Sequence, residues 1–144
     1  MNFSFHHLGI AVRNLAEAMP VYRTLFGYEV VWGPLEDPLQ RVSACFLRRG
    51  DGDTLLELVA PAAADSPIHQ AIKKGGGAHH VCYEVDDIGA AMGHMTDHGS
   101  FLLSGPVPAI AFDGRPIAWL MTEGHLLVEL LQASDNGMAW PRPR

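Results

Sequence analysis

The chain has 144 residues, 48% of them hydrophobic and 18% charged, and carries a net charge of −6 at pH 7. That length allows one domain with a substantial core rather than two independent ones, and the composition is that of a soluble globular protein. The acidic balance, with no basic stripe, argues against nucleic acid as a partner, and no apolar run approaches the ~20 residues of a membrane span.

The first residues, Met1-Asn2-Phe3-Ser4-Phe5, lack the basic and apolar segments of a secretory leader, so a cytoplasmic protein is expected. Cys45 and Cys82 each lie in an apolar, strand-like run and read as buried, reduced thiols.

In chain order, residues 5–13 alternate as a strand does, with Gly9 permitting a close approach to the backbone. Asn14 is a good N-cap, and Leu15, Ala18, Met19, Tyr22, Leu25 and Phe26 form a helical apolar stripe ending at Gly27. Pro20 is awkward inside that stripe, because it cannot donate a backbone hydrogen bond. Residues 28–32 predict a strand, 33–38 a Pro-containing loop, and 40–48 a further strand. A turn over 49–53 leads into a strand over 54–60, which completes one β-α-β-β-β unit. Ser66-Pro67 predicts an N-cap followed by proline at the first helical position, opening a short helix to Lys74 that Gly75-Gly76-Gly77 stops.

The same order then recurs. A strand is predicted over 78–86, with Asp86 or Asp87 capping a helix that runs to His98 and stops at Gly99. Strands follow near 100–104, 116–121 and 125–132, with a loop centred on residues 111–115. Residues 134–144, rich in Asp, Asn, Gly and Pro, predict a loosely held tail. The resulting fold class is α+β: one domain of two modules, 5–61 and 78–133, joined by a helical linker over 62–77.

Three echoes support a duplication. His7-Leu8-Gly9-Ile10-Ala11-Val12 is answered 73 residues later by His80-Val81-Cys82-Tyr83-Glu84-Val85. Glu57, in Leu56-Glu57-Leu58, is answered 72 residues later by Glu129 in Val128-Glu129-Leu130, and Gly27 by Gly99 at the same offset. Unrelated residues rarely fall into one register three times.

The echoes bear on chemistry because side chains alternate faces along a strand. A carboxylate inside an apolar strand costs several kcal/mol unless a partner or a cavity receives it. Any one of these residues alone reads as a structural histidine or a solvent-facing glutamate. Two imidazoles and two carboxylates paired by one repeat read instead as a set suited to a divalent first-row metal, with positions left for a substrate. His6 and His79 also pair by the repeat but face the opposite side of their strands from His7 and His80. His94, His98 and His125 occupy ordinary surface contexts.

Taken together, the stretches 7–12, 57–61, 65–68, 77–88 and 127–130 make the chain resemble the vicinal oxygen chelate superfamily, which includes glyoxalase I, bleomycin-resistance proteins and extradiol dioxygenases. Over residues 5–132 it is most similar to the methylmalonyl-CoA epimerase family. The resemblance implies two βαβββ modules forming an open, pseudo-twofold barrel. It implies a metal (Co, Ni, Zn or Mn) held by His7, Glu57, His80 and Glu129, and a homodimer acting on a small acyl-CoA thioester. In such enzymes the metal serves as a Lewis acid toward an enolate while a carboxylate moves the α-proton. Glu129 is the first candidate for that base and Glu57 the second. A glyoxalase-like lyase acting on a thiol adduct, or a metal-free drug-binding protein, would use the same fold.

The resemblance has departures. Some epimerases carry a second catalytic Glu where this chain has Ala44. Asp113-Gly114-Arg115 replaces a His-Gly-Lys/Arg turn, and Thr122-Glu123-Gly124-His125 lacks the usual His-Pro. Arg48, Arg49, Lys73, Lys74 and Arg115 could meet the phosphates of a coenzyme A tail, although solvated surface cations are the ordinary reading. Trp32, Phe46, Trp119 and Met121 read as core or cavity wall, and Gln40 as a remote substrate contact.

Overall fold

A computed structural model describes residues 1–135 and residue 140. Each half of the chain lays down a strand, a helix and three further strands, because the apolar period switches from two to about 3.6 and back. The first set is β1 (Phe3–Ala11), α1 (Leu15–Phe26), β2 (Glu29–Asp37), β3 (Val42–Arg48) and β4 (Leu55–Pro61). A short helix α2 (Ile68–Lys73) precedes the second set: β5 (Gly77–Val85), α3 (Ile88–Asp97), β6 (Phe101–Pro108), β7 (Pro116–Met121) and β8 (Leu127–Gln132). The fold is α+β, as the sequence predicts, and the sheet is open. Its strand order contains the runs β2-β3-β4-β1 and β5-β8-β7-β6, so β2 and β6 are edge strands. Among the described residues no helix is long and apolar enough to cross a membrane.

The chain divides into two compact units. One is His7–His79; the other combines Met1–His6 with the chain from His80 onward. The boundary runs through both β1 and β5.

In the first unit β1 pairs parallel with β4, and β4 and β2 pair antiparallel with β3. Leu8, Ile10 and Val12 turn toward α1 and join Leu15, Cys45, Leu47, Leu56 and Leu58 in the core. The odd-numbered residues of β1 therefore face the other way. Asn14 caps α1 by accepting from the Glu17 amide at 3.0 Å, and Gly27 closes it at φ +78°. The helix runs through Pro20 rather than starting after it, since packing of its apolar stripe outweighs one missing hydrogen bond.

The second unit follows the same plan. β5 pairs parallel with β8, and β8 and β6 pair antiparallel with β7. Val85, Ile88, Ala91, Ala118, Leu120, Val128 and Leu130 form its core, with Val81 and Tyr83 packed against it. Asp87 caps α3 through the Ala90 amide at 3.0 Å. Gln132 braces the same turn, accepting from the Ile88 amide at 2.8 Å and donating to the Asp86 carbonyl.

Three expectations are corrected. Residues 33–37 are strand, not loop: β2 continues through Gly33-Pro34 with shifts of register on either side of it. The strand expected over 100–104 likewise runs to Pro108 through Gly105-Pro106. An edge strand tolerates proline because one row of its amides needs no partner, and a bulge absorbs the extra length. At α2 the N-cap is Pro67, and Ser66 lies one residue outside, its Oγ accepting from the Ile68 amide at 3.3 Å. Of the tail expected over 134–144, residues 136–139 and 141–144 lie outside the described residues. Trp140 is half-buried against His6 and Phe112 and donates to the Ala111 carbonyl at 2.9 Å.

Candidate metal centre and active site

In the first unit, His7 and Glu57 stand on adjacent parallel strands, on the face turned away from α1. Glu57 is in register with Gly9, two residues beyond His7. Its Oε1 lies 3.4 Å from His7 Nε2, and both side chains are buried. Gly9 offers no side chain between them.

The second unit repeats this arrangement. Glu129 is in register with Cys82, two residues beyond His80. Its Oε1 lies 3.5 Å from His80 Nε2, and both are buried. Parallel register with a two-residue stagger thus sets the same Nε2–Oε1 approach in both units.

The separation is informative. A charge-assisted N–H···O bond would close to about 2.7–2.9 Å. Two donor atoms bound to one ion at about 2.0–2.2 Å stand roughly 2.8–3.6 Å apart at octahedral to tetrahedral angles. Neutral imidazole nitrogen and carboxylate oxygen suit zinc, cobalt, nickel or manganese. Each pair therefore fits two ligands of a divalent metal.

Aromatic rings flank both pairs. Phe46 lies across the antiparallel ladder from Glu57, and Trp119 across from Glu129. Each meets the histidine of its own unit edge to face. Their ring centroids are 5.4 Å from His7 and 4.8 Å from His80. From sequence these rings read as core or cavity wall, yet they too are 73 residues apart, on equivalent strands, which marks them as a further pair of the repeat.

Other residues singled out from sequence fall elsewhere. His6 is half-buried against the Phe112 and Trp140 rings. Ala44 is buried opposite Val59 and Leu35, so that position of β3 offers a methyl group and no base. Arg115 Nη1 donates to Glu84 at 3.1 Å, and its guanidinium lies over the Phe112 ring. Arg49 pairs with Asp53 at 3.0 Å, while Lys73 and Lys74 are exposed. Gln40 donates to Asp37 at 2.9 Å, bracing the turn between β2 and β3. Gly75-Gly76-Gly77 joins α2 to β5, and a Cβ on Gly76 would stand 2.9 Å from the Ala11 carbonyl oxygen, whereas Gly75 and Gly77 have open space around them. Neither Cys45 nor Cys82 forms a disulfide, and both are buried. Burial, then the nearby Glu57 charge, pushes the Cys45 thiol up to about 12.

The fold and the paired histidines and glutamates define a class. The chain belongs to the glyoxalase/bleomycin resistance protein/dioxygenase superfamily, whose family model matches residues 6–119. Within it, the chain is similar to the ethylmalonyl-CoA/methylmalonyl-CoA epimerase of Cereibacter sphaeroides, at 36% identity over 131 residues, covering 88% of this chain and 96% of that one. The human mitochondrial methylmalonyl-CoA epimerase is 38% identical over 133 residues, covering 89% of this chain and 73% of that one. A solved methylmalonyl-CoA epimerase in complex with methylmalonyl-CoA and NH4+ superposes with a TM-score of 0.79 at 26% identity, covering 94% and 97% of the two chains. The Streptomyces coelicolor methylmalonyl-CoA epimerase in complex with 2-nitronate-propionyl-CoA gives 0.78, also at 26%, covering 92% of this chain and 99% of that one.

Proposed function

We propose that this protein is a metal-dependent epimerase that inverts the α-carbon of a small acyl-CoA thioester such as methylmalonyl-CoA. The observation that carries the reading is the pair of buried His–Glu contacts, 3.4 Å and 3.5 Å, built identically in the two units. Relatives named as epimerases of ethylmalonyl-CoA or methylmalonyl-CoA support the substrate class.

His7, Glu57, His80 and Glu129 are the proposed ligands. When bound, a divalent ion supplies Lewis acidity toward the oxygens of a thioester carbonyl and a carboxylate. The residues supply the rest. Glu129 accepts the α-proton on a carboxylate oxygen as the C–H bond breaks, and its electron pair moves into the enolate. The α-carbon becomes planar, and delivery of a proton to the opposite face by a second acid yields the other epimer, while the proton taken by Glu129 passes to solvent. Glu57 is the second carboxylate available. Burial among the apolar strands excludes bulk water and strengthens each charge interaction.

Deuterium exchange tests this. The protein, loaded in turn with cobalt, nickel, zinc or manganese, is given methylmalonyl-CoA in deuterated water and the α-position is followed by mass spectrometry. Metal-dependent uptake, abolished by Glu129→Gln, is expected. Tight metal binding without exchange would overturn the epimerase assignment and leave a different chelate-dependent reaction on the same scaffold.

A further inference from the structure

Phe46 and Trp119 occupy equivalent places in the two units, and neither side chain is a metal-ligand type. Phe46 is in register with Glu57 across β3 and β4, and Trp119 with Glu129 across β7 and β8. Each ring also reaches past its carboxylate to the imidazole. Phe46 meets His7 with planes at 87°, and Trp119 meets His80 with planes at 84° and centroids only 4.8 Å apart. A histidine ring turns easily about its last side-chain torsion, and a half-turn exchanges Nε2 with Cε1 and Nδ1 with Cδ2, turning a carbon toward the carboxylate. An aromatic ring set perpendicular to it favours one orientation through the edge-to-face quadrupole contact and blocks the swing by its bulk.

We infer that Phe46 and Trp119 are positioning residues that hold the His7 and His80 imidazoles with Nε2 turned toward Glu57 and Glu129. The inference rests on the metal reading proposed above, and its argument is the duplication. The same cross-strand neighbour of the carboxylate is aromatic in both units, and the same perpendicular contact is made. The side chains themselves differ, so the common feature is the ring. A core position filled for volume alone would not require a right-angled approach to the histidine twice. Phe46 is fully buried, whereas Trp119 keeps part of its surface open. Trp119 is therefore the better handle.

The test uses cobalt alone as the probe. The dissociation constant is measured by competition with a chromophoric chelator, and the visible d–d spectrum reports ligand geometry. Trp119→Leu should weaken cobalt binding about tenfold, the upper end of what one edge-to-face contact contributes, and should alter the spectrum. Trp119→Phe keeps a ring and should recover most of the affinity. Phe46→Leu should behave as Trp119→Leu does, and if it fails to fold, the Trp119 series decides alone. Circular dichroism and unfolding midpoints separate a global loss of stability from a local change at the site. Equal affinity and an unchanged spectrum in Trp119→Leu would overturn the positioning role while leaving the metal reading intact. Equal weakening in the Leu and Phe variants would also overturn it, because the ring would then not be the cause. A wild-type protein that binds no cobalt would overturn the metal reading itself.

Discussion

Gly105 in β6 lies so close to Ile117 in β7 that a Cβ built on it would stand 2.6 Å from the Ile117 carbonyl oxygen. Its φ of +101° is itself a conformation that side chains disfavour. Gly33 repeats the relationship in the other unit, at φ +83° and 2.9 Å from the Ala44 carbonyl oxygen. Both glycines precede a proline in an edge strand, and they are 72 residues apart. Gly105→Ala should therefore destabilise the protein by about 2–4 kcal/mol, from backbone strain and from the displaced β7 strand. Gly50→Ala, at a positive φ but with open space around it, should cost about 1–2 kcal/mol. Urea unfolding midpoints check the order; equal losses would mean that strand proximity contributes nothing.

Both long helices begin on a side-chain cap. Asn14 Oδ1 accepts from the Glu17 amide and Asp87 Oδ1 from the Ala90 amide, each at 3.0 Å. Asn14→Ala and Asp87→Ala should each cost about 1 kcal/mol. Because the caps lie in separate units, the double variant should lose the sum within about 0.5 kcal/mol. A markedly larger combined loss would show that the two helix starts are coupled.

Metal binding should register as stability. A ligand at 100 times its dissociation constant adds about 2.7 kcal/mol to the folded state. Calorimetry should then show cobalt raising the melting temperature by about 6–10 °C. A chelator should reverse the rise. Glu57→Ala and His80→Ala should each abolish most of it, although they remove ligands from different units. A rise preserved in either variant would remove that residue from the proposed ligand set.

The Cys45 thiol gives a signed dependence on pH. Its folded pKa is pushed up to about 12, first by burial and then by the Glu57 charge, whereas an unfolded thiol ionises near 8.5. The folded state holds this proton more tightly. Its contribution to stability is whole below the unfolded pKa and is lost as pH rises toward 12. Between about pH 9 and 12 the limiting slope is ~1.4 kcal/mol per pH unit for this one group. Cys45→Ala should show a shallower alkaline loss than the wild type, and the same slope in both would assign the loss to other groups. In a Cys82→Ala background, Cys45 should also resist a thiol reagent at pH 8 until the protein is unfolded.

Much of this was legible in the chain itself. The period of the apolar residues places α1 between two strands, and Asn14, Gly27 and Asp87 mark helix ends by local hydrogen bonding and backbone freedom. The repeat pairs Glu57 with Glu129 and His7 with His80, as it also pairs His6 with His79, because duplicated strands keep their side-chain parity. What the chain did not disclose depends on pairing. Gly33-Pro34 and Gly105-Pro106 read as loop until β3 and β7 are laid beside them, since a bulge exists only relative to a partner strand. Gln40 reads as a remote substrate contact until the turn brings it to Asp37. Likewise Phe46 and Trp119 look like ordinary core residues from their neighbours in sequence. Only the antiparallel register places each opposite a carboxylate and edge-on to a histidine that is distant in the chain, because alternation along a strand fixes a side chain's face and not the residue it meets there.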